Sequence, residues 1–159
     1  MEIRPGPRPG DLGAVIRLHG EVYASEYGLD SSFEASVAGR LAGILAGGWP
    51  RENEGLWIVE ADREPVGSIT LSDEGDGLAR LGHFVLLPAA RGRGLGRQLV
   101  ERVLAHARAA GYSRVELFTF GDLTTAARIY RGAGFVREGV VGREPWGREI
   151  EMERYLLEL

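Results

Sequence analysis

The chain has 159 residues, a net charge of −4 and no cysteine. This length fits one domain, residues 1–159, and the missing thiol excludes a disulfide, a cysteine nucleophile and a thiolate zinc site. The three histidines (His19, His83, His106) show no metal-ligand spacing, no apolar run spans a membrane, and the acidic balance speaks against a nucleic-acid binder. Met1-Glu2-Ile3-Arg4-Pro5 is not a basic-then-apolar signal peptide, so a cytoplasmic address is expected.

In chain order, Ile3 and Arg4 predict a short strand ended by Pro5, Pro7 and Pro9. Asp11 is a helix N-cap candidate. Leu12, Val15, Ile16, His19, Val22 and Tyr23 then recur at helical spacing as far as Gly28. Ser31 with Glu34 reads as a capping box before a second helix, whose stripe is Phe33, Val37, Leu41, Ile44 and Leu45 and which stops at Gly47-Gly48. Leu56–Val59 and Val66–Leu71 predict a hairpin, followed by an acidic turn from Ser72 to Gly77. Leu78–Leu87 is long and apolar enough for a central strand. A helix follows from Gly94 to Ala110, then a strand from Val115 to Phe120, then a short helix capped by Asp122 and running to Ala133. Phe135–Val141 and Ile150–Leu156 are the last strands, joined by a loop with Pro145 and Trp146. The order β-αα-βββ-α-β-α-ββ predicts an α/β fold with a mixed sheet flanked by helices.

Charge is polarised along this order. Residues 91–114 hold six arginines against the single acid Glu101, whereas residues 21–34 hold four acids and no base. A basic patch facing an acidic one suits an anionic cofactor and a cationic substrate. Two solvated helix faces would give the same pattern.

The most informative segment joins a strand to a helix: His83-Phe84-Val85-Leu86-Leu87, then Arg91-Gly92-Arg93-Gly94-Leu95-Gly96, then Arg97-Gln98-Leu99. Glycines allow positive φ and close backbone approach. Free N–H groups at a helix start, aided by its dipole, make an anion nest, and arginine adds bidentate phosphate contacts. A Walker loop is excluded, because Arg97 and Gln98 follow Gly96 where Lys and Ser/Thr are needed. A dinucleotide turn, G-x-G-x-x-G, fails at Arg97, although Glu116 lies about twenty residues on, as that fold requires. Arg91, Gly94 and Gly96 satisfy R-x-x-G-x-G after a strand. A glycine turn with no ligand also remains open.

This turn resembles the pyrophosphate turn of the GNAT superfamily of acetyl-CoA-dependent N-acetyltransferases. Ala126-Ala127-Arg128-Ile129-Tyr130 through Gly134-Phe135 resembles that family's second motif, and the aliphatic residue before Pro88 its lead-in. The likeness covers Leu56 to Phe135 well. Asp11 to Glu34 resembles a branch in which such domains follow a MarR-type domain. The resemblance implies a mostly antiparallel central sheet and acetyl-CoA as co-substrate. Backbone groups of Phe84, Val85 and Leu86 would pair with the pantetheine arm. Amides of Arg91, Gly92, Arg93, Gly94, Leu95 and Gly96 would hold the pyrophosphate. Arg91, Arg93 and Arg97 would reach phosphates, Ala126 would lie against the cofactor, and Tyr130 would sit near the thioester sulfur. Two positions depart from the family. Leu123 stands seven residues before Tyr130, where many members carry Asn, and Arg80 stands where some carry a glutamate base.

Acyl transfer from a thioester needs a neutral amine, a stabilised oxyanion and a protonated leaving thiolate. A backbone N–H near Leu86 is placed to serve the oxyanion. Tyr130 is the candidate acid, with packing as its alternative role; tyrosine titrates near 10 and a thiol near 8.5, a difference of about 2 kcal/mol. Base candidates are His19, His83, Glu26 and Glu116, or a water. Glu26 and Asp30 are candidates for holding an ammonium, and Trp146 for lining the acceptor pocket or plugging the core. The resulting expectation is an N-acetyltransferase acting on a small primary amine, with no metal, nucleic-acid or membrane partner. A dimer is expected, chiefly because many members of the family pair. A protein N-terminus or lysine as acceptor, and a non-catalytic acyl-CoA-binding regulator, are the alternatives.

Overall fold

The computed structural model describes residues 1–159. Its elements are β1 (Glu2–Gly6), α1 (Asp11–Tyr27), α2 (Ser31–Ala46), β2 (Gly55–Ala61), β3 (Glu64–Gly75), β4 (Leu78–Leu86), α3 (Leu95–Ala109), β5 (Arg114–Thr119), α4 (Thr124–Gly132), β6 (Val136–Pro145) and β7 (Glu149–Glu158), with a 3-10 turn at Pro88–Ala90. The seven strands form one sheet in the order β1-β2-β3-β4-β5-β7-β6, antiparallel except for the β4–β5 pair. This is the element order expected from the sequence.

Period-two patterning divides the core between the two faces of the sheet. Trp57 and Val59 of β2 pack with α3 residues such as Leu99 and Val103, while Leu56 and Ile58 pack with α1 and α2 residues such as Leu18 and Leu41. β3 is buried continuously from Gly67 to Ser72, as suits a strand covered on both faces. No helix is long and apolar enough to cross a membrane.

Several expected boundaries shift, most of them because a polar group is claimed by another partner. Asp11 does not cap α1. The N-cap is Gly10, with a left-handed backbone, and the Asp11 carboxylate is taken by the Arg4 guanidinium (2.8 and 2.9 Å) and the Arg8 amide. Asp30 caps α2 by accepting from the Ser32 amide at 2.9 Å. The Ser31–Glu34 box does not form; Glu34 lies against Gly20, where a Cβ would meet its carboxylate at 1.9 Å. Asp122 does not cap α4, whose N-cap is Leu123 without a side-chain bond, because its carboxylate accepts from Arg148 at 2.9 Å. Pro5 does not end β1; as an edge strand β1 tolerates a residue with no N–H. The acidic segment is not a turn. β3 runs through it to Gly75, because Arg40 donates to Ser72 and Glu74 while Glu54 accepts from the Asp73 amide.

Candidate active site

The site arises where β4 and β5 part. Their pairing covers only Leu78–Arg80 against Arg114–Glu116. Beyond it β4 carries a bulge, with the register to β3 slipping between Thr70–Gly82 and Ser68–Val85. The extra residue is His83, at φ +47°. A bulge bends its strand and breaks the ladder. Two β3 hydroxyls pin this one: Ser68 donates to the His83 carbonyl (2.7 Å), and Thr70 Oγ1 lies 3.0 Å from His83 Nδ1.

The parted strands leave a cleft of adjoining cavities. The first is bounded by Tyr27, Phe84, Val85, Leu86, Arg91, Gly96, Ala126 and Tyr130. Most of the cofactor residues expected from the sequence therefore meet around one space. The others, Gly92, Arg93, Gly94 and Arg97, lie exposed on the adjoining turn, and Leu95 turns its side chain into the core. Gly92 and Gly94 hold φ near +75°, and the first α3 bond runs from the Gln98 amide to Gly94. The amides before Gln98 thus point outward without helical partners. A Cβ at Gly96 would meet Ile129 at 3.0 Å and Phe84 at 3.4 Å, so glycine keeps this wall open.

Two arginines expected to reach phosphate are engaged elsewhere. Both Arg91 terminal nitrogens donate to Glu26 at 2.6 Å, and its Nε donates to the Leu86 carbonyl at 3.0 Å. Arg97 pairs with Glu101 at 2.8 Å. The Glu26–Arg91 pair also corrects the expectation of an acidic patch awaiting a cationic substrate, because at this contact the acidic and basic stretches neutralise each other. Glu26 is held below the usual carboxylate range by Arg91.

The second cavity adjoins the first across Tyr23, Phe84, Leu123 and Tyr130, which line both. Tyr130 stands at this junction, buried and ringed by Phe84, Phe135 and Tyr155 at 5.9–6.1 Å between centroids. Burial raises its pKa, so the phenol stays protonated. His19 and His83 both line the second cavity, their rings 5.8 Å apart. His19 donates from Nδ1 to the Val15 carbonyl at 2.8 Å, which leaves Nε2 as an acceptor. Burial lowers His19 to about 4 and His83 to about 3. Trp146 both lines this cavity and packs on Phe33, 5.0 Å between rings.

The carboxylate base candidates do not reach the cleft free. Glu116 is buried between Arg80 (2.7 and 2.9 Å) and Arg154 (3.0 Å). Arg80, at the position of a family glutamate, serves this network and lies 4.7 Å over the Phe118 ring. Leu123 gives the junction an apolar wall in place of an amide. Sequence reasoning missed Thr119, whose buried hydroxyl has no partner, and Ser68 and Thr70. The one available signal was the Phe118-Thr119-Phe120 run closing the strand.

Residues 21–135 match the model of the acetyltransferase (GNAT) family. The chain is 30% identical over 128 residues to the uncharacterized N-acetyltransferase YjgM of Escherichia coli, covering 79% of this chain and 76% of that one. It is 32% identical over 141 residues to the mycothiol acetyltransferase of Sanguibacter keddieii, covering 84% of this chain but only 43% of that longer protein. In structure it resembles the phosphinothricin acetyltransferase from Sinorhizobium meliloti solved with AcCoA, with a TM-score of 0.73 and 19% identity over 99% of this chain and 88% of that one. The chain belongs to the acetyltransferase (GNAT) family and is an N-acetyltransferase.

Proposed function

We propose that this enzyme moves the acetyl group of acetyl-CoA to a primary amine of a small molecule by direct attack. The observation that carries the reading is the adjacency of two cavities, one beside the glycine turn and one aromatic, that share Tyr130 as a wall. The residues fit the co-substrate: free amides in a glycine nest suit a pyrophosphate, and the Gly96 wall leaves room beside it. Phe84, Val85 and Leu86 lie past the last β4–β5 pair, so this edge of β4 can take the amide-bearing pantetheine arm as an added strand. Acetyl-CoA supplies an acyl carbon activated by a good leaving group. Arg93 reaches toward phosphate from the turn, and Arg91 and Arg97 do so on leaving their carboxylates.

The chain's own groups handle the protons. Tyr130 keeps its proton until the leaving thiolate takes it. His19 Nε2 or His83, both neutral at pH 7, takes a proton from the attacking nitrogen once the new bond has begun to form and that nitrogen has become acidic. An amide of the unpaired β4 segment near Leu86 binds the developing oxyanion. The small size of the acceptor is supported by the aromatic chamber, and by the mycothiol in the Sanguibacter relative's name. Calorimetry with acetyl-CoA, NAD and ATP, followed by turnover on small amines and on peptides, tests this reading. Tight binding of acetyl-CoA alone with turnover of small amines is expected; NAD binding, or turnover confined to peptides, would reject it.

A further inference from the structure

The chamber beyond Tyr130 is built to hold a neutral guest. No Asp, Glu, Lys or Arg lines it. The nearby acids are committed, Glu26 to Arg91 and Glu116 to Arg80 and Arg154. Glu144 lines only the outer mouth, near Arg40 and Arg80, whose own partners are Glu74 and Glu116. From α1 come His19 and Tyr23, from β4 His83, and from α4 Tyr130, all uncharged near pH 7. The two histidines resist protonation, and the Arg40 charge adds to that resistance at His83. The two tyrosines resist ionisation in the other direction. The polar groups at this chamber are neutral ones, His19 Nε2 and the buried, unpartnered Thr119 hydroxyl among them.

An aromatic chamber can also recognise a cation, so the two effects must be weighed. Cation–π attraction at a desolvated site is smaller than the cost of stripping water from an ammonium with no counter-charge. Desolvation wins, and the Phe118 ring already carries the Arg80 guanidinium. The acceptor must therefore enter as its free base. At pH 7 about 1 in 2,500 molecules of an amine as basic as a lysine side chain is neutral, against roughly 1 in 6–10 for an α-amine and nearly all of an amine with a pKa below 6. Phe33, Phe120 and Trp146 line the chamber with aromatic carbon, which suits an aromatic body. We propose that the acceptor is a weakly basic aromatic amine, of the arylamine or arylhydrazine class, taken up uncharged with its nitrogen directed toward Tyr130. This rests on the acetyl-transfer reading above. The nitrogen–carbon bond forms as the carbon–sulfur bond breaks, and one proton passes in net from nitrogen to sulfur.

The test uses the wild-type enzyme with saturating acetyl-CoA. Para-substituted anilines and phenylhydrazine are compared with benzylamine and phenethylamine from pH 6 to 9. The expected result is a nearly flat kcat/KM for the first group and a roughly tenfold rise per pH unit for the second, with the first group favoured at least 100-fold at pH 7. A pH-independent kcat/KM for benzylamine that equals or exceeds that of the anilines would overturn the proposal. Calorimetry on the CoA-loaded enzyme gives an answer that needs no turnover. 2-Phenylethanol should bind at least tenfold more tightly than phenethyltrimethylammonium, and the reverse order would overturn the proposal. Failure of every amine to release CoA, despite tight acetyl-CoA binding, would instead sink the acetyl-transfer reading and leave the binding comparison to decide the charge preference.

Discussion

Tyr130 is held by three aromatic rings, so its position does not depend on its hydroxyl. Tyr130→Phe should leave folding and acetyl-CoA affinity nearly unchanged. Acetyl transfer should fall about 10²–10⁴-fold, in kcat and in kcat/KM alike. A Phe variant with wild-type kcat would reduce Tyr130 to a packing residue. Gly96 is a second single-atom test. A methyl there meets Ile129 and Phe84, so Gly96→Ala should weaken acetyl-CoA binding by about tenfold, a loss of roughly 1.4 kcal/mol, when titrated by calorimetry. Affinity equal to wild type would place the cofactor elsewhere. At this scale the sequence singled out residues by type, such as Gly94, Gly96 and Tyr130, and the fold sets Gly96 and Tyr130 on one cavity beside the Gly94 turn. The sequence did not disclose pairs set by the fold. Glu26 and Arg91 are 65 residues apart, and nothing local in either segment announces their contact.

Helices and strands were legible because apolar spacing and glycine punctuation act locally. Helix starts were less so. Asp11 and Asp122 are good caps by type, but each found a guanidinium that binds a carboxylate more strongly than a helix amide does. The β4 bulge was invisible, since positive φ is uncommon at any residue but glycine and the apolar run around His83 reads as regular strand. Its cause lies on the neighbouring strand. Thr70→Val removes the hydroxyl facing His83 Nδ1 and leaves a buried nitrogen unpaired. Denaturant melts should show a loss of about 1–3 kcal/mol, and acetyl transfer should slow as the His83 ring loses its anchor. Thr70→Ser should restore both. A Val variant with an unaltered pH–rate profile would make the contact purely structural.

Across the whole molecule, burying two neutral histidines links stability to pH. Both titrate lower in the folded state than the ordinary value near 6.5, at about 4 and about 3. The unfolded chain therefore binds more protons between those limits. Their contribution is complete above pH 6.5 and drains away as pH falls toward 4. Between pH 7 and 5, few carboxylates change state, and each histidine should cost about 2 kcal/mol. Urea melts at the two pH values should show this loss, and His19→Phe should halve it; equal stabilities at pH 7 and 5 would contradict the burial. The cleft has a second consequence at this scale. Because β4 and β5 separate after only three residue pairs, cavities adjoin on either side of the parted strands, one by the glycine turn and one by Arg40 and Glu144. Two reactants can enter from opposite sides and neither blocks the other. Initial-rate plots should then intersect rather than run parallel. A single conjugate joining CoA to an acceptor through one acyl link would occupy both sides at once, with the avidity of a tethered pair.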